Sequence, residues 1–277
     1  MDTRSALMSP MKVQAIDSRH NPLFKELRRL SQDSTAYRKQ GRLWVEGEHL
    51  CKAALTRGVT PEVAVFSASC WSSEGALWAA LVPKSVVLPD NLFADLSPLE
   101  SPARMGFVLG LPAPGELRVD VASIILDRVQ DAGNVGSLLR SAAAFGFKQV
   151  IALKGTAALW SPKVLRSAMG AHWGLQLIES AELATLAALS VPIIVTSSHR
   201  GHCLHQLQAS KALPTPCAWA FGHEGQGVSS ALEALAKQHV RIAQPGGEES
   251  LNVAAAAAIC LHASAATLLS NPDPAQL

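Results

Sequence analysis

Apolar and polar residues fall into short hydrophobic runs separated by amphipathic stretches, and the rhythm breaks at the Pro/Gly-rich run Leu111-Pro112-Ala113-Pro114-Gly115. Before it, strands are expected at residues 43–45, 63–66, 86–88 and 105–111, with helices over 22–30, 49–56, 74–81 and 91–96. The first helix is entered through Asn21-Pro22 and sets Leu23, Leu27 and Leu30 on one face. After the break, residues 121–126 form a continuous apolar run of the kind a fully buried parallel strand shows, ending at Asp127. Further strands are expected at 149–153, 175–178, 191–196, 218–221 and 239–242, and helices at 135–145, 162–169, 181–189, 229–237 and 252–269. Strands alternating with helices predict an α/β fold whose second part is a parallel sheet covered by helices on both faces. The last helix, led by Ala254 to Ala258, is small and apolar nearly all round, so it is expected to be buried, partly against a second subunit. The expected division is a smaller α/β domain over residues 11–110, a linker at 111–118 and a larger domain over 119–271.

Composition narrows the class without naming a chemistry. With 277 residues, 48% hydrophobic and 17% charged, the chain can fill a core and does not carry the signature of disorder. It has no uninterrupted apolar run of membrane-spanning length and no apolar signal-peptide core, so a soluble cytoplasmic protein is expected, with no membrane partner. The five cysteines, Cys51, Cys70, Cys203, Cys217 and Cys260, form no CxxC pair, so they read as buried thiols, with no disulfide framework and no metal site.

The net charge of +2 hides an asymmetry. Residues 1–60 hold eleven Lys/Arg against six Asp/Glu, a net of +5, which leaves −3 for the rest. Within that stretch Lys25, Arg28, Arg29, Arg38, Lys39 and Arg42 cluster around the chain's single tyrosine, Tyr37, the electrostatic footprint expected for a phosphate backbone. A solvated helix face accounts for any one of them; the cluster points to nucleic acid.

Ligands of open parallel sheets sit beyond the carboxyl ends of the strands, which directs attention to three loops. The first runs from Asp127 through Asp131-Ala132-Gly133-Asn134 to Arg140, a glycine-bearing turn into a helix; Asn134 reads either as a helix cap or as part of an anion or substrate site. The second is Gly222-His223-Glu224-Gly225-Gln226-Gly227, glycine-rich enough for close backbone approach, with one carboxylate. It lacks the lysine of a phosphate-binding P-loop and is not GxGxxG. In the third, from Ile242 to Val253, a Pro-Gly-Gly break precedes a helix for which Ser250 or Asn252 is the cap.

Together, in this order and spacing, Asn134-x-Gly136-x-x-x-Arg140, Gly222-x-Glu224-Gly225-x-Gly227 and Ser250-Leu251-Asn252-Val253 resemble the three motifs of the SpoU (TrmH) family of RNA ribose 2′-O-methyltransferases, within the SPOUT superfamily. The resemblance covers residues 119–270. Residues 16–22, Lys25, the basic run and Trp44-Val45-Glu46-Gly47 are similar to the small L30e-like substrate-binding domain many members carry. One departure stands out: where the third motif usually opens Ile-Pro-Met, this chain has Ile242-Ala243-Gln244.

The resemblance implies a deep trefoil knot in the second domain, a homodimer formed through it, and S-adenosylmethionine as cofactor, held through Gly222, Ile242 and Leu251. It implies that Asn134, Arg140, Glu224, Ser250 and Asn252 carry catalysis, and that Lys25, Arg28, Arg29, Arg38, Lys39 and Arg42 bind RNA, ribosomal RNA ahead of transfer RNA. Arg140 is expected to act at the ribose hydroxyl, although a guanidinium is a poor general base. A nicotinamide-dependent oxidoreductase would need GxGxxG and an acidic residue about 20 positions on, which the first loop does not offer. A non-catalytic RNA-binding protein of the same fold would be expected to have lost Asn134, Arg140 or the Ser-Leu-Asn-Val run, and all are present.

Overall fold

The structure, a computed structural model, describes residues 12–197, 200–246 and 250–270. Met11, residues 247–249 and Asn271, which belong to the expected domain ranges and third loop, lie outside the described residues. The chain divides into two compact units between Pro112 and Ala113.

The first unit runs β1 (Lys12–Ala15), α1 (Pro22–Gln32), α2 (Ala36–Gln40), β2 (Arg42–Glu46), α3 (Glu48–Thr56), β3 (Val63–Ser67), α4 (Ala68–Cys70), a π-helical turn over Trp71–Gly75, α5 (Ala76–Ala79), β4 (Lys84–Leu88), α6 (Asp90–Ala94) and β5 (Met105–Gly110). Its sheet is mixed, in the order β1-β4-β3-β5-β2, with β5 antiparallel to both neighbours. Asn21 caps α1 by accepting the Leu23 N–H at 2.9 Å, with Pro22 opening the helix where no N–H is needed. Phe24, Leu27, Leu30 and Ser31 form its buried face, while Leu23 is half-buried, so the apolar stripe is rotated from the expected one. The edge strand β1 and the single-turn α2 were not expected, since Lys12 and Gln14 break the strand's apolar pattern and five residues are too few to show a helical period.

The second unit runs β6 (Ser123–Asp127), α7 (Ala132–Ala144), β7 (Gln149–Leu153), α8 (Pro162–Ala168), β8 (Gln176–Ala181), β9 (Ile193–Thr196), β10 (His202–Cys203), α9 (Leu204–Ala209), β11 (Ala218–Gly222), α10 (Ser230–Glu233), β12 (Gln238–Arg241) and α11 (Val253–Ser270). The seven strands pair only in parallel, in the order β10-β12-β9-β11-β6-β7-β8. β6, β7 and β11 are buried at every position, which is why they read as unbroken apolar runs. Ala218 and Ala220 of β11 face a core with Ile125, Ile151, Val195 and Leu232, while the indole N–H of Trp219 donates to Ser264 of α11 at 2.9 Å.

Two expected helices change form. The 181–189 helix is instead the end of β8, which shifts register against β7 and turns at Ser180 (φ 53°), followed by a 3-10 stretch over Leu183–Ala188. The 229–237 helix shrinks to one turn, α10, capped by Ser229. The two-residue β10 and the six-residue α9 escaped the pattern because neither is long enough to repeat its period.

Within the single chain α11 is buried along one face only. Ala257, Cys260, Leu261, Ala263 and Ser264 form one buried stripe, and Ile259 and Leu269 remain exposed on the other side. By length and composition this helix could cross a membrane, contrary to the sequence expectation. It packs on one side, through Ser264 to β11 and through His262, whose ring meets Phe145 after α7 edge-on at 5.5 Å. All five cysteines are free and buried.

Candidate active site

β6 and β11 lie side by side, yet β6 feeds α7 and then β7 on one side, whereas β11 feeds α10 and then β12 beyond β9 on the other. Loops leaving adjacent parallel strands in opposite directions open a crevice beyond the strand ends. Three loops meet there: Arg128 to Asp131 after β6, His223 to Ser229 after β11, and Ser250 to Asn252 before α11.

Their polar groups form a directed relay. The side-chain oxygen of Asn252 accepts the N–H groups of Ala254 and Ala255 at 2.9 and 3.3 Å, so Asn252, not Ser250, caps α11. That bond turns its amino group outward, where it donates to Oδ1 of Asn134 at 3.0 Å. The amino group of Asn134 in turn donates to Oε1 of Glu224 at 3.1 Å. Glu224 also accepts the backbone N–H groups of Asp131 at 3.1 Å and Gln130 at 3.3 Å. Every amide in the chain has its orientation set by its neighbour, so Asn134 presents one free lone pair and one free N–H in fixed directions.

Asn134 is therefore not the helix cap that its sequence position allowed. The cap is Asp131, whose Oδ1 accepts the Asn134 N–H at 2.8 Å while Oδ2 pairs with Lys163 of α8 at 3.2 Å. The Asn134 N–H, then the Lys163 ammonium, hold the Asp131 carboxyl below its ordinary range. At Glu224 burial pushes the carboxyl up, but the hydrogen bonds from Asn134, Asp131 and Gln130 outweigh it and leave it lowered. Both stay ionised at neutral pH.

The glycine loop closes on itself. His223 and Gly227 exchange both backbone hydrogen bonds at 3.0 and 2.8 Å, and Nδ1 of His223 accepts the N–H groups of Gly225 and Gln226. A Cβ on Gly222 would sit 2.1 Å from the Gly227 carbonyl carbon and 2.2 Å from the Val228 nitrogen, so only glycine permits this return. The same closeness appears beneath the first motif, where a Cβ on Gly136 would lie 1.8 Å from Oγ of Ser167, letting α7 and α8 touch.

A cavity of about 810 Å³ opens at the crevice. Gly222, Glu224, Ile242, Ser250, Leu251 and Asn252, all singled out on sequence, line it. Asn134 joins through its two bonds but is not itself a lining residue. Arg140 stands apart: it is exposed, makes no hydrogen bond or ion pair to a described residue, and lies six positions along α7 from Asn134, well round the helix. Sequence reasoning missed Asp131, Arg128, His223 and Lys163; an Asp three residues before Asn134 was a cap signal open to reading. Among the described residues no three His, Cys, Asp or Glu side chains gather to hold a metal ion.

In the first unit, Lys25, Arg28 and Arg29 line a shallow depression of about 430 Å³ with Gln32 and Asp33. Lys39 is exposed, and Arg38 lies over the Tyr37 ring at 5.4 Å. Arg42 is committed elsewhere, paired with Glu26 and Glu62 at 2.8 Å each, and the Glu26 hydrogen bond leads the effects that raise its pKa.

Comparison with known proteins fits this geometry. The SpoU rRNA Methylase family model matches residues 122–262, the segment holding all three loops. The chain belongs to the SpoU family. A SpoU-family relative, the 23S rRNA (guanosine(2553)-2′-O)-methyltransferase RlmP of Bacillus subtilis, is 30% identical over 79% of this chain and 86% of its own. An uncharacterized tRNA/rRNA methyltransferase of Synechocystis sp. is 30% identical over 90% of this chain and 93% of its own. Among solved structures, an RNA 2′-O ribose methyltransferase superposes with a TM-score of 0.77 at 28% identity, covering 92% of this chain and all of that one (100%).

Proposed function

We propose that this SpoU-family chain transfers a methyl group from S-adenosylmethionine to a ribose 2′-hydroxyl of structured RNA, ribosomal RNA rather than transfer RNA. The observation that carries the reading is the Asn252–Asn134–Glu224 relay, assembled from three loops at the rim of one cavity. RlmP of Bacillus subtilis acts on 23S rRNA by its name, and the SpoU methyltransferase AviRb of Streptomyces viridochromogenes, a fold neighbour at 23% identity, has been solved in complex with AdoMet.

The cavity's residues suit that cofactor. Backbone of Gly222, Ile242 and Leu251 offers hydrogen-bonding edges for a base without introducing charge. At Gly225, which lines the cavity, an added Cβ would touch only the His223 ring, at 3.8 Å, so the loop leaves room there. Oε1 of Gln244, a lining residue, is buried and has no hydrogen-bond partner among the described residues, so the wall offers an acceptor. When bound, the cofactor supplies an activated methyl group on a sulfonium.

The chain's own residues then have to orient the acceptor hydroxyl. Asn134, held from both sides, fixes the hydroxyl's direction, with Glu224 and Asn252 positioning Asn134 and Ser250 adding a hydroxyl to the cavity wall. Arg140, a guanidinium with N–H donors and no acceptor, serves as a donor toward the ribose oxygen and its flanking phosphate. Lys25, Arg28, Arg29, Arg38 and Lys39 contact the RNA backbone from an L30e-like first domain. The second domain, over residues 119–271, carries the trefoil knot, and the exposed side of α11 with Ile259 and Leu269 supports a homodimer formed through it.

The test is transfer of labelled methyl to ribosomal RNA from cells lacking the gene. Wild type should methylate one ribose, and Asn134→Ala should bind cofactor yet transfer nothing measurable. Transfer to transfer RNA alone would overturn the substrate, and a folded wild type without cofactor binding would overturn the activity.

A further inference from the structure

The residue that joins β6 to the first loop has an unusual backbone. Arg128 has φ 60°, a left-handed conformation that a glycine or asparagine holds at less cost than a long side chain does. Its neighbours show what the side chain does there. The N–H of Arg128 donates to Oγ1 of Thr156 at 3.1 Å, fixing the turn. Its Nε donates to Oδ1 of the buried Asp127 at 3.1 Å, and its NH1 to Oε1 of Gln226, in the middle of the glycine loop, at 2.9 Å. The other oxygen of Asp127 accepts the N–H of Ser229, at the exit of the same loop, at 2.6 Å. Asp127 and Arg128 thus grip the loop at two points, and Gln226 lines the cavity.

We propose that Arg128 is a positioning residue that latches the glycine loop, residues 223–227, in the form that receives the cofactor. Asparagine tolerates the backbone but is too short to bridge Asp127 and Gln226, and glycine has no side chain. Local strain is thus retained where the reach of an arginine is needed, the pattern expected when a functional contact outranks backbone comfort. The inference rests on the cavity being the S-adenosylmethionine site.

Arg128→Gly separates the latch from plain structure, because it relieves the strained φ while removing the bridge. Relief of the strained φ offsets only part of the cost of leaving the buried Asp127 carboxylate without its ion pair, so the melting temperature should fall modestly with the protein still folded, while the S-adenosylmethionine dissociation constant from calorimetry should increase about tenfold, the size of one charge-assisted hydrogen bond. KM for the cofactor should rise with kcat unchanged at saturation. Gln226→Ala should raise the dissociation constant similarly, and the double variant should add little. Arg128→Lys should recover part of the affinity. Independently of any cofactor, the Gly225 and Gln226 amides should exchange faster with solvent in Arg128→Gly. Unchanged amide exchange together with unchanged affinity, or a loss of kcat at saturating cofactor, would overturn the latch. A folded wild type that binds no S-adenosylmethionine, with amide exchange still accelerated in the variant, would instead overturn the reading of the cavity.

Discussion

Gly136 offers the sharpest test of how the first loop is built. In an exposed helix interior, Gly→Ala stabilises by up to about 1 kcal/mol through backbone entropy and propensity. At position 136 the added methyl would meet Oγ of Ser167 at 1.8 Å, Cβ of Ser167 at 2.6 Å and the backbone nitrogen of Ala168 at 2.8 Å. The Ser167 hydroxyl can swing away only by giving up its bond to the Ala132 carbonyl at 3.1 Å, about 1 kcal/mol. The Ala168 nitrogen is main chain and cannot rotate aside, so α8 must shift, and overpacking of this kind costs about 1–3 kcal/mol. Set against the propensity gain, Gly136→Ala should lose about 2 kcal/mol overall, a fall of about 4–8 °C in melting temperature for a unit of this size. A shifted α8 also carries Lys163 away from Asp131, so Asn134 loosens and methyl transfer should weaken. Urea denaturation of wild type, Gly136→Ala and Gly136→Ala with Ser167→Ala reads the effect, the double variant regaining only part of the loss because the main-chain clash remains. A single variant as stable as wild type would refute the close-contact account.

Three further outcomes follow from the same geometry. His172, fully buried with Nε2 beside the Leu159 carbonyl at 2.8 Å, has its pKa pushed down by burial to about 4. Between about pH 6.5 and 4 the unfolded chain binds a proton that the folded one refuses, so this stability is complete above pH 6.5 and falls by about 3 kcal/mol toward pH 4; urea midpoints against pH should show that slope, and its survival in His172→Gln would exclude His172 as the source. Glu224→Gln should cut turnover at least tenfold with the protein still folded, because an amide cannot accept from Asn134, Asp131 and Gln130 at once; near-normal kcat would remove Glu224 from the relay's function. Replacing Lys25, Arg28 and Arg29 by Ala should flatten the salt dependence of RNA binding by about 0.7–0.9 per lost phosphate contact. Arg42→Ala, already committed to Glu26 and Glu62, should leave that slope unchanged, and equal flattening by both variants would contradict the assignment.

By itself the amino-acid sequence determined the parts of this protein whose physics is local. A strand covered on both faces is apolar along its middle, with polar Ser123, Asp127 and Gln149 only at strand ends, so β6, β7 and β11 announced themselves as apolar runs, and Asn21-Pro22 marked a helix start through chemistry confined to two residues. The motif residues were legible as types at a spacing, but not as partners, because Asn252 meets Asn134 across 118 positions and Asn134 meets Glu224 across 90. Which residue caps α7 turned on where the Asp131 carboxylate points, and a six-residue strand has no period that tells whether it will pair parallel or antiparallel, so β5 revealed its direction only beside β2 and β3. The left-handed Arg128 shows the limit best. No local preference asks for an arginine at φ 60°, and only the contacts to Asp127 and Gln226, one adjacent and one 98 positions away, make that conformation hold.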